Sequence, residues 1–369
     1  MLNTRHDSAG ALLTIDLDAI RANYRLLREK LGGTACAAVV KADAYGLGAD
    51  RVAPALAADG CGNFFVAHLD EAIALRSHVP AEADVFVLHG SPPGVEADFV
   101  AHRVIPVLNS LGQVDAWTAL ARSLGQRLPA VLQVDTGMSR LGLSSRELDT
   151  VTDDLGRLDG IDLRYVMSHL ACAEQQNHEL NALQLANFHS ARARLPVAPA
   201  SFSNSSGIFL GQEYHFDLAR PGAALYGVAP VAGQPNPLRS VVRLQARVIQ
   251  VREIEAGARV GYGGTWTAPG PRRIATISAG YADGLLRSLG NRAKAFRCGT
   301  ALPVVGVVSM DTITLDVTAL PEHGLEPGHL VDLIGSDNPV DAVAEAAGTI
   351  GYEILTSLGG RYFRTYLGG

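Results

Sequence analysis

The sequence predicts an α/β chain, a closed (β/α)8 TIM barrel followed by a mostly antiparallel β domain. Three observations carry that expectation. Short apolar runs alternate with stretches of helical hydrophobic spacing through roughly the first two thirds of the chain. Eight such runs occur, the number of parallel strands that closes a barrel. Past a break rich in Gly and Pro the helices stop while the strands continue, the pattern of an antiparallel sheet.

Residues 12–17 read as a strand, and Asp18 as the N-cap of a helix in which Ile20, Tyr24, Leu27 and Leu31 recur at helical spacing. Barrel strands are expected at 36–40, 64–67, 85–88, 105–108, 130–134, 165–168, 200–203 and 216–218. The run before Lys41 lacks a polar face, the pattern of a strand packed on both sides. The turn residues Gly233-Gln234-Pro235-Asn236-Pro237 mark a domain boundary. The barrel is therefore placed at 12–235, and the β domain at 236–369 together with 1–11. The strand near 12–17 follows no barrel strand and is a candidate to join the β domain. Further strands are expected at 241–251, 274–278, 304–308, 313–317 and 330–334, with a helical ending from about Val340.

Composition narrows the function classes. The chain has 369 residues, 47% of them hydrophobic, enough for a large core. Its 31 basic and 37 acidic residues give a formal charge of −6 with no basic block, which argues against nucleic acid or an anionic membrane as partner. No apolar run approaches the roughly 20 residues of a spanning helix, and the first ten residues lack an apolar leader. Cys36, Cys61, Cys172 and Cys298 are far apart and form no Cys-x-x-Cys pair, so no metal site is expected. Small buried thiols in a cytoplasmic protein are the expectation.

The chemistry gathers at strand ends. The apolar run before Lys41 ends on that lysine and breaks into Ala42-Asp43-Ala44-Tyr45-Gly46-Leu47-Gly48. Ligands of α/β barrels bind where the strands end, and low-dielectric walls there favour a neutral amine able to attack a carbonyl or form a Schiff base. Taken alone, this is equally the pattern of a cofactor-free Schiff-base aldolase. The other strand ends supply His68, His89-Gly90, Asn109, Asp135, His169, Asn204-Ser205-Ser206-Gly207 and Arg220-Pro221-Gly222. The last two loops, with Ala223, stand where barrels commonly hold a phosphate. In the β domain, Gly261-Tyr262-Gly263-Gly264 and Gly280-Tyr281-Ala282-Asp283-Gly284 set tyrosines on backbone of little bulk, and Ser309-Met310-Asp311 ends an apolar run.

Lys41-Ala42-Asp43-Ala44-Tyr45-Gly46, Asp135-Thr136-Gly137-Met138-Ser139-Arg140-Leu141-Gly142, Arg220-Pro221-Gly222, Gly261-Tyr262-Gly263, Gly280-Tyr281-Ala282-Asp283-Gly284 and Met310-Asp311 together resemble the bacterial alanine racemases, in order and over nearly the whole chain. The resemblance implies a pyridoxal 5'-phosphate barrel with an extended β domain, assembled as a head-to-tail homodimer that interconverts L-alanine and D-alanine and supplies D-alanine for peptidoglycan. Lys41 would hold the cofactor and act on D-alanine, and Tyr262 of a second copy would act on L-alanine from the opposite face. Tyr45, Asn204, Ser205, Gly222 and Ala223 would surround the phosphate or ring. Arg220 would face the ring nitrogen, with His169 linking it to the phenol. Arg140 and the Met310 amide would hold the substrate carboxylate, while Gln133, Tyr281 and Asp311 would support the site or its access.

Two positions depart from the family pattern. Gln133 stands where many members carry a carbamylated lysine, and its amide is expected to accept from Arg140. Gly360 aligns with a tyrosine that many members place beside the phosphate. A decarboxylase of the same fold would carry an acidic residue at the ring nitrogen and a cysteine-aspartate pair late in the chain, so Arg220 and Met310-Asp311 speak against it. Single-barrel proteins that bind the same cofactor lack residues beyond about 237. A broad-specificity racemase stays open, because one methylene changes discrimination by only about 1–3 kcal/mol, and so does the choice between biosynthetic and catabolic roles.

Overall fold

The computed structural model describes residues 4–368; residues 1–3 and 369, which the sequence reading gave to the β domain, lie outside the described residues. Seven parallel strands form one curled sheet in chain order: Ala38–Val39, Asn63–Val66, Asp84–Val87, Ile105–Leu108, Leu128–Gln133, Ile161–Met167 and Ala200–Ser201. An eighth, Leu218–Ala219, closes the ring by pairing in parallel with Ala35–Cys36. On that side Ala37 N–H donates to Ala219 O and Val39 N–H to Pro221 O, both at 2.9 Å, and on the other side Arg220 N–H donates to Ser203 O at 2.8 Å. Successive amides of the first strand thus alternate between neighbours, since Val40 N–H turns to Phe65 O at 2.8 Å. All four residues of Ile105–Leu108 are buried, as are the last three of Asn63–Val66 and Asp84–Val87. Burial on both faces is the physical source of the apolar runs seen in the sequence.

The second sheet is built around the long strand Val242–Ile254, which pairs antiparallel with Ala11–Asp16, Arg272–Ile277 and Leu330–Ile334. Ala11–Asp16 also pairs in parallel with Phe363–Leu367, so the chain's first and last strands lie side by side in this sheet.

Several expectations need correction. The N-cap of the helix Leu17–Leu31 is Asp16, whose side chain accepts from Ala19 N–H at 2.8 Å, whereas Asp18 sits in the first turn, where its charge suits the helix dipole. Residues 304–308 are not a strand: the ladder runs through the hairpin Lys294–Arg297 and Thr300–Pro303, and Val304 makes only an isolated bridge to Leu315. Val305 and Val308 are buried as loop residues around Gly306, whose φ of +81° breaks extended pairing. The helices Val340–Ala347 and Gly351–Ser357 are followed by a strand, Phe363–Leu367, that the helical ending did not foresee. Only Cys36 and Cys61 are buried; Cys172 is half-buried, and Cys298 is exposed at a φ of +47° in a hairpin turn. Among the described residues no helix is long and apolar enough to cross a membrane.

The helix Leu17–Leu31 buries Ile20, Tyr24, Leu27 and Leu31 on one face, and with them a polar residue, Asn23. Its Nδ2 donates to Leu225 O at 3.2 Å and Arg239 O at 3.0 Å, while its Oδ1 accepts from Arg239 N–H at 2.7 Å. One buried amide thereby ties a barrel helix to the chain on its way into the second sheet. Asn23→Leu leaves those backbone groups without partners, and we expect it to cost about 2–4 kcal/mol. A fall in the urea midpoint checks this, and an unchanged midpoint rejects it.

Candidate active site

The site starts where the first barrel strand ends. Ala42, Asp43, Ala44 and Tyr45 follow Lys41 with φ values of +53°, +55°, +52° and +57°, a left-handed turn made without glycine. Each such residue costs about 1–2 kcal/mol relative to right-handed backbone, so the surroundings must hold the turn. Glu71 does much of this, one carboxylate oxygen accepting from Ala42 N–H at 2.6 Å and the other from Ala67 and His68 N–H at 2.7 and 3.0 Å. Asp43 closes the far end by accepting from Ala49 N–H at 2.8 Å. The tight reversal brings Lys41 and Tyr45 onto the same cavity, of about 770 Å³, at the carboxyl ends of the strands.

Burial and the nearby Arg140 charge lower the Lys41 ammonium below its ordinary value, against a smaller opposing effect of Glu71. The amine is thereby made easier to deprotonate.

The loops after the last two strands meet in a cradle of backbone amides. Ser205 Oγ accepts from Gly222 N–H at 3.0 Å and Ala224 N–H at 3.2 Å. A Cβ on Gly222 would overlap the Tyr45 hydroxyl, so glycine is what lets the phenol lie over this cradle. Burial raises the Tyr45 phenol above its ordinary value and keeps it a donor, and its hydroxyl bonds to no described residue. Asn204 shapes the same loop, its Oδ1 accepting from Gly207 N–H at 2.9 Å.

Arg220 is buried on the cavity wall and spends its donors on neutral acceptors: Ser201 Oγ at 2.5 Å, Ser168 O at 2.7 Å and His169 Nδ1 at 3.3 Å. Guanidinium only donates, so Nδ1 of His169 accepts and its proton sits on Nε2. Burial, then Arg220, Arg140 and Lys41, push the His169 imidazole down to about 3, so it is neutral at working pH.

Arg140 reaches the cavity from a loop wound on Asp135, whose Oδ1 accepts from the amides of Gly137, Met138 and Ser139 at 2.9, 3.0 and 3.1 Å. Gln133 is buried on the cavity wall, and its amide nitrogen donates to Leu141 O at 3.1 Å. The expected bond from Arg140 to the Gln133 amide is absent among the described residues. The backbone of the Arg140 loop engages the nitrogen of that amide, through Leu141 O, and not its oxygen.

Lys41, Tyr45, Gln133, Arg140, His169, Asn204, Ser205, Arg220, Gly222 and Ala223 therefore face one cavity. Tyr262, Tyr281, Met310 and Asp311 do not line it, and the first three are left 74%, 44% and 53% exposed in turns beside the second sheet. Gly360 also stands away from the cavity, with open space around its Cβ position. A tyrosine at the cavity comes instead from Tyr352, on the helix Gly351–Ser357, its ring centroid 6.1 Å from that of Tyr45. Sequence reading missed it, although Gly351-Tyr352 repeats the glycine-tyrosine pairing of Gly261-Tyr262 and Gly280-Tyr281.

The neutral His169 makes stability pH-dependent. With a folded value near 3 and an unfolded value near 6.5, the unfolded chain binds a proton that the folded chain refuses anywhere between them. We expect this contribution to be complete above about pH 6.5 and to be lost progressively as the pH falls towards 3. Comparing denaturant midpoints of the native chain and His169→Asn across that range checks it; parallel curves refute it.

The family model for the alanine racemase N-terminal domain matches residues 15–230, and that for the C-terminal domain matches residues 241–366. A catabolic alanine racemase from Mesorhizobium japonicum is 55% identical over 362 residues, covering 98% of this chain and 94% of that protein. The alanine racemase of Brucella abortus is 52% identical over 373 residues, with 98% and 94% covered. Among solved structures, the Bartonella henselae alanine racemase with covalently bound pyridoxal phosphate superposes with a TM-score of 0.94 at 44% identity, covering 97% of this chain and all (100%) of that one. The biosynthetic alanine racemase of Pseudomonas aeruginosa gives 0.91 at 36% identity, with 98% and 100% covered.

Proposed function

We propose that this chain, which belongs to the alanine racemase family, interconverts L-alanine and D-alanine with pyridoxal 5'-phosphate held at Lys41. The observation that carries this reading is the convergence, in one cavity, of an amine depressed by burial, the Ser205, Gly222 and Ala224 cradle, and the Arg220–His169 pair. These residues fit the cofactor. Lys41 would supply the amine for its aldehyde, the Ser205 hydroxyl, whose Oγ already accepts from two amides, would donate with the unpartnered Tyr45 hydroxyl to its phosphate, and Arg220 would meet its ring. When bound, the cofactor supplies the electron sink that acidifies the substrate's Cα–H.

The chain's own groups do the rest. Arg220 keeps its charge and presents donors only, which disfavours protonation of any base facing it. Arg140 sits where it can hold the substrate carboxylate. The Lys41 amine would act as proton donor and acceptor on one face of Cα and serve D-alanine. On the opposite face Tyr262 of a second copy acts on L-alanine. The Nε2–H of neutral His169 is the donor that favours the phenolate form of a tyrosine brought to it. The exposure of Tyr262, Tyr281 and Met310 supports a homodimer with shared sites. Enantiomers have equal free energy, so the direction of net flux is set by what the cell supplies and removes. Supply of D-alanine for peptidoglycan, from a cytoplasmic enzyme, is the role we propose.

Incubating the protein with L-alanine and cofactor should yield D-alanine on chiral analysis, and Lys41→Ala should abolish it. Tyr262→Phe should slow deuterium exchange from L-alanine in heavy water by about 10²–10⁴-fold while exchange from D-alanine persists. Unchanged exchange from L-alanine would make a single-base mechanism the better account.

A further inference from the structure

Away from the cavity, Arg361 makes the most connected ion pair in the second sheet's loops. Its Nε and Nη2 donate to the two oxygens of Asp283 at 2.6 and 2.8 Å, and its Nη1 donates to Asp311 at 2.7 Å. Asp283 is buried and also accepts from Gly280 N–H at 2.9 Å, which folds the turn that carries Tyr281. That turn lies directly on the next one, with Tyr281 N–H donating to Ser309 O and Ala282 N–H to Met310 O, both at 3.0 Å. The fit leaves no room for side chains, since a Cβ on Gly280 would overlap Met310 O and one on Gly284 would overlap Ser357 O. One guanidinium thus fastens three segments: the Tyr281 turn, the Met310 turn and the chain leaving the helix Gly351–Ser357.

What this clamp presents is chemically specific. With the Met310 carbonyl taken by Ala282, the Met310 N–H donates to no described residue, and Met310 is half-exposed. A fixed, unpaired amide beside an exposed tyrosine is a donor set for a carboxylate, yet neither residue lines this chain's own cavity. We propose that Arg361 is a positioning residue for the cavity of the partner copy: it holds the Met310 amide and Tyr281 in the shape that receives the substrate carboxylate there. This inference rests on the shared-site reading above.

The test uses the holoenzyme. Arg361→Met removes the clamp, and Arg361→Lys keeps the charge without the fork that spans both carboxylates. Each variant should keep the cofactor absorbance of the native enzyme while its KM for alanine rises about tenfold, as loss of a carboxylate donor requires, with a smaller fall in kcat. Should Arg361→Met fail to assemble, Arg361→Lys carries the same comparison. Mixed dimers of Lys41→Ala and Arg361→Met chains hold one site with Lys41 from one copy and an intact clamp from the other, so they should regain a native KM. A raised KM in those mixed dimers would place Arg361's action in its own chain and overturn the proposal, as would a native KM in the Arg361 variants themselves. Mixed dimers of Lys41→Ala and Tyr262→Phe serve as the control. Their failure to recover activity would refute the shared site itself and the inference with it, whereas their recovery beside a raised KM would refute Arg361 alone.

Discussion

The cavity depends on the left-handed turn that follows Lys41. Four consecutive residues at positive φ, none of them glycine, form a conformation that the chain does not adopt unaided. It persists because Glu71 accepts an amide from inside the turn and two from the end of the neighbouring strand. A carboxylate bound by three amides is a fixed object. It sets where the backbone reverses, and so brings Lys41 and Tyr45 to one wall. A looser connection of ordinary length would carry the tyrosine away from the cradle and let water reach the amine. Burial in the wall that this turn shapes, with the Arg140 charge, is what lowers the Lys41 ammonium.

Positive groups outnumber negative ones around that wall. Lys41, Arg140 and Arg220 face the cavity, His169 between them is neutral, and Arg220 is bonded only to uncharged acceptors. Arg220, the one of these cations that is buried, has no carboxylate partner, and a buried charge is costly unless something anionic completes it. The arrangement therefore suits a ligand with separated anionic groups, one for the Ser205 and Tyr45 hydroxyls after the last strands and one for Arg140. A phosphate and a carboxylate at opposite ends of one assembled ligand meet that requirement. The chain's net charge of −6 does not oppose this, because Glu353 is the one carboxylate in the cavity lining, against Lys41, Arg140 and Arg220.

Much of this was legible in the sequence because parallel barrel strands are buried on both faces and leave apolar runs with polar ends. Lys41, His169, Asn204 and Arg220 were readable as strand ends for that reason. Features lacking such a signal were not. Residues 304–308 are as apolar as a strand but are buried as irregular backbone around Gly306. The last strand, Phe363–Leu367, contains Arg364 and Tyr366 and pairs with the chain's first strand, a contact that no local pattern announces. Tyr352 enters the cavity from a helix far along the chain, and only the closure of the fold places it beside Tyr45. Nothing in Ala42-Asp43-Ala44-Tyr45 betrays a left-handed turn, since glycine is absent and Glu71 is remote in sequence.

Inverting a stereocentre demands proton transfer on both faces of one carbon, and a barrel mouth encloses its ligand mainly from below. Lys41 rises from that floor, so the other face must be served by something reaching over the rim. Tyr262 is suited to it by placement on glycine-rich backbone, but it is 74% exposed and absent from this chain's own cavity. On the reading proposed above, a second copy brings it, together with the clamped turns of Tyr281 and Met310. The two groups then come under control by unlike physics. An ammonium is made easier to deprotonate by removing water, whereas a phenol is made easier to deprotonate by donating a hydrogen bond to its oxygen. Desolvation is supplied within one chain, by the walls around Lys41. On that reading the Nε2–H of His169 would meet the phenol only where two chains meet, so assembly itself would complete the balance between the two faces.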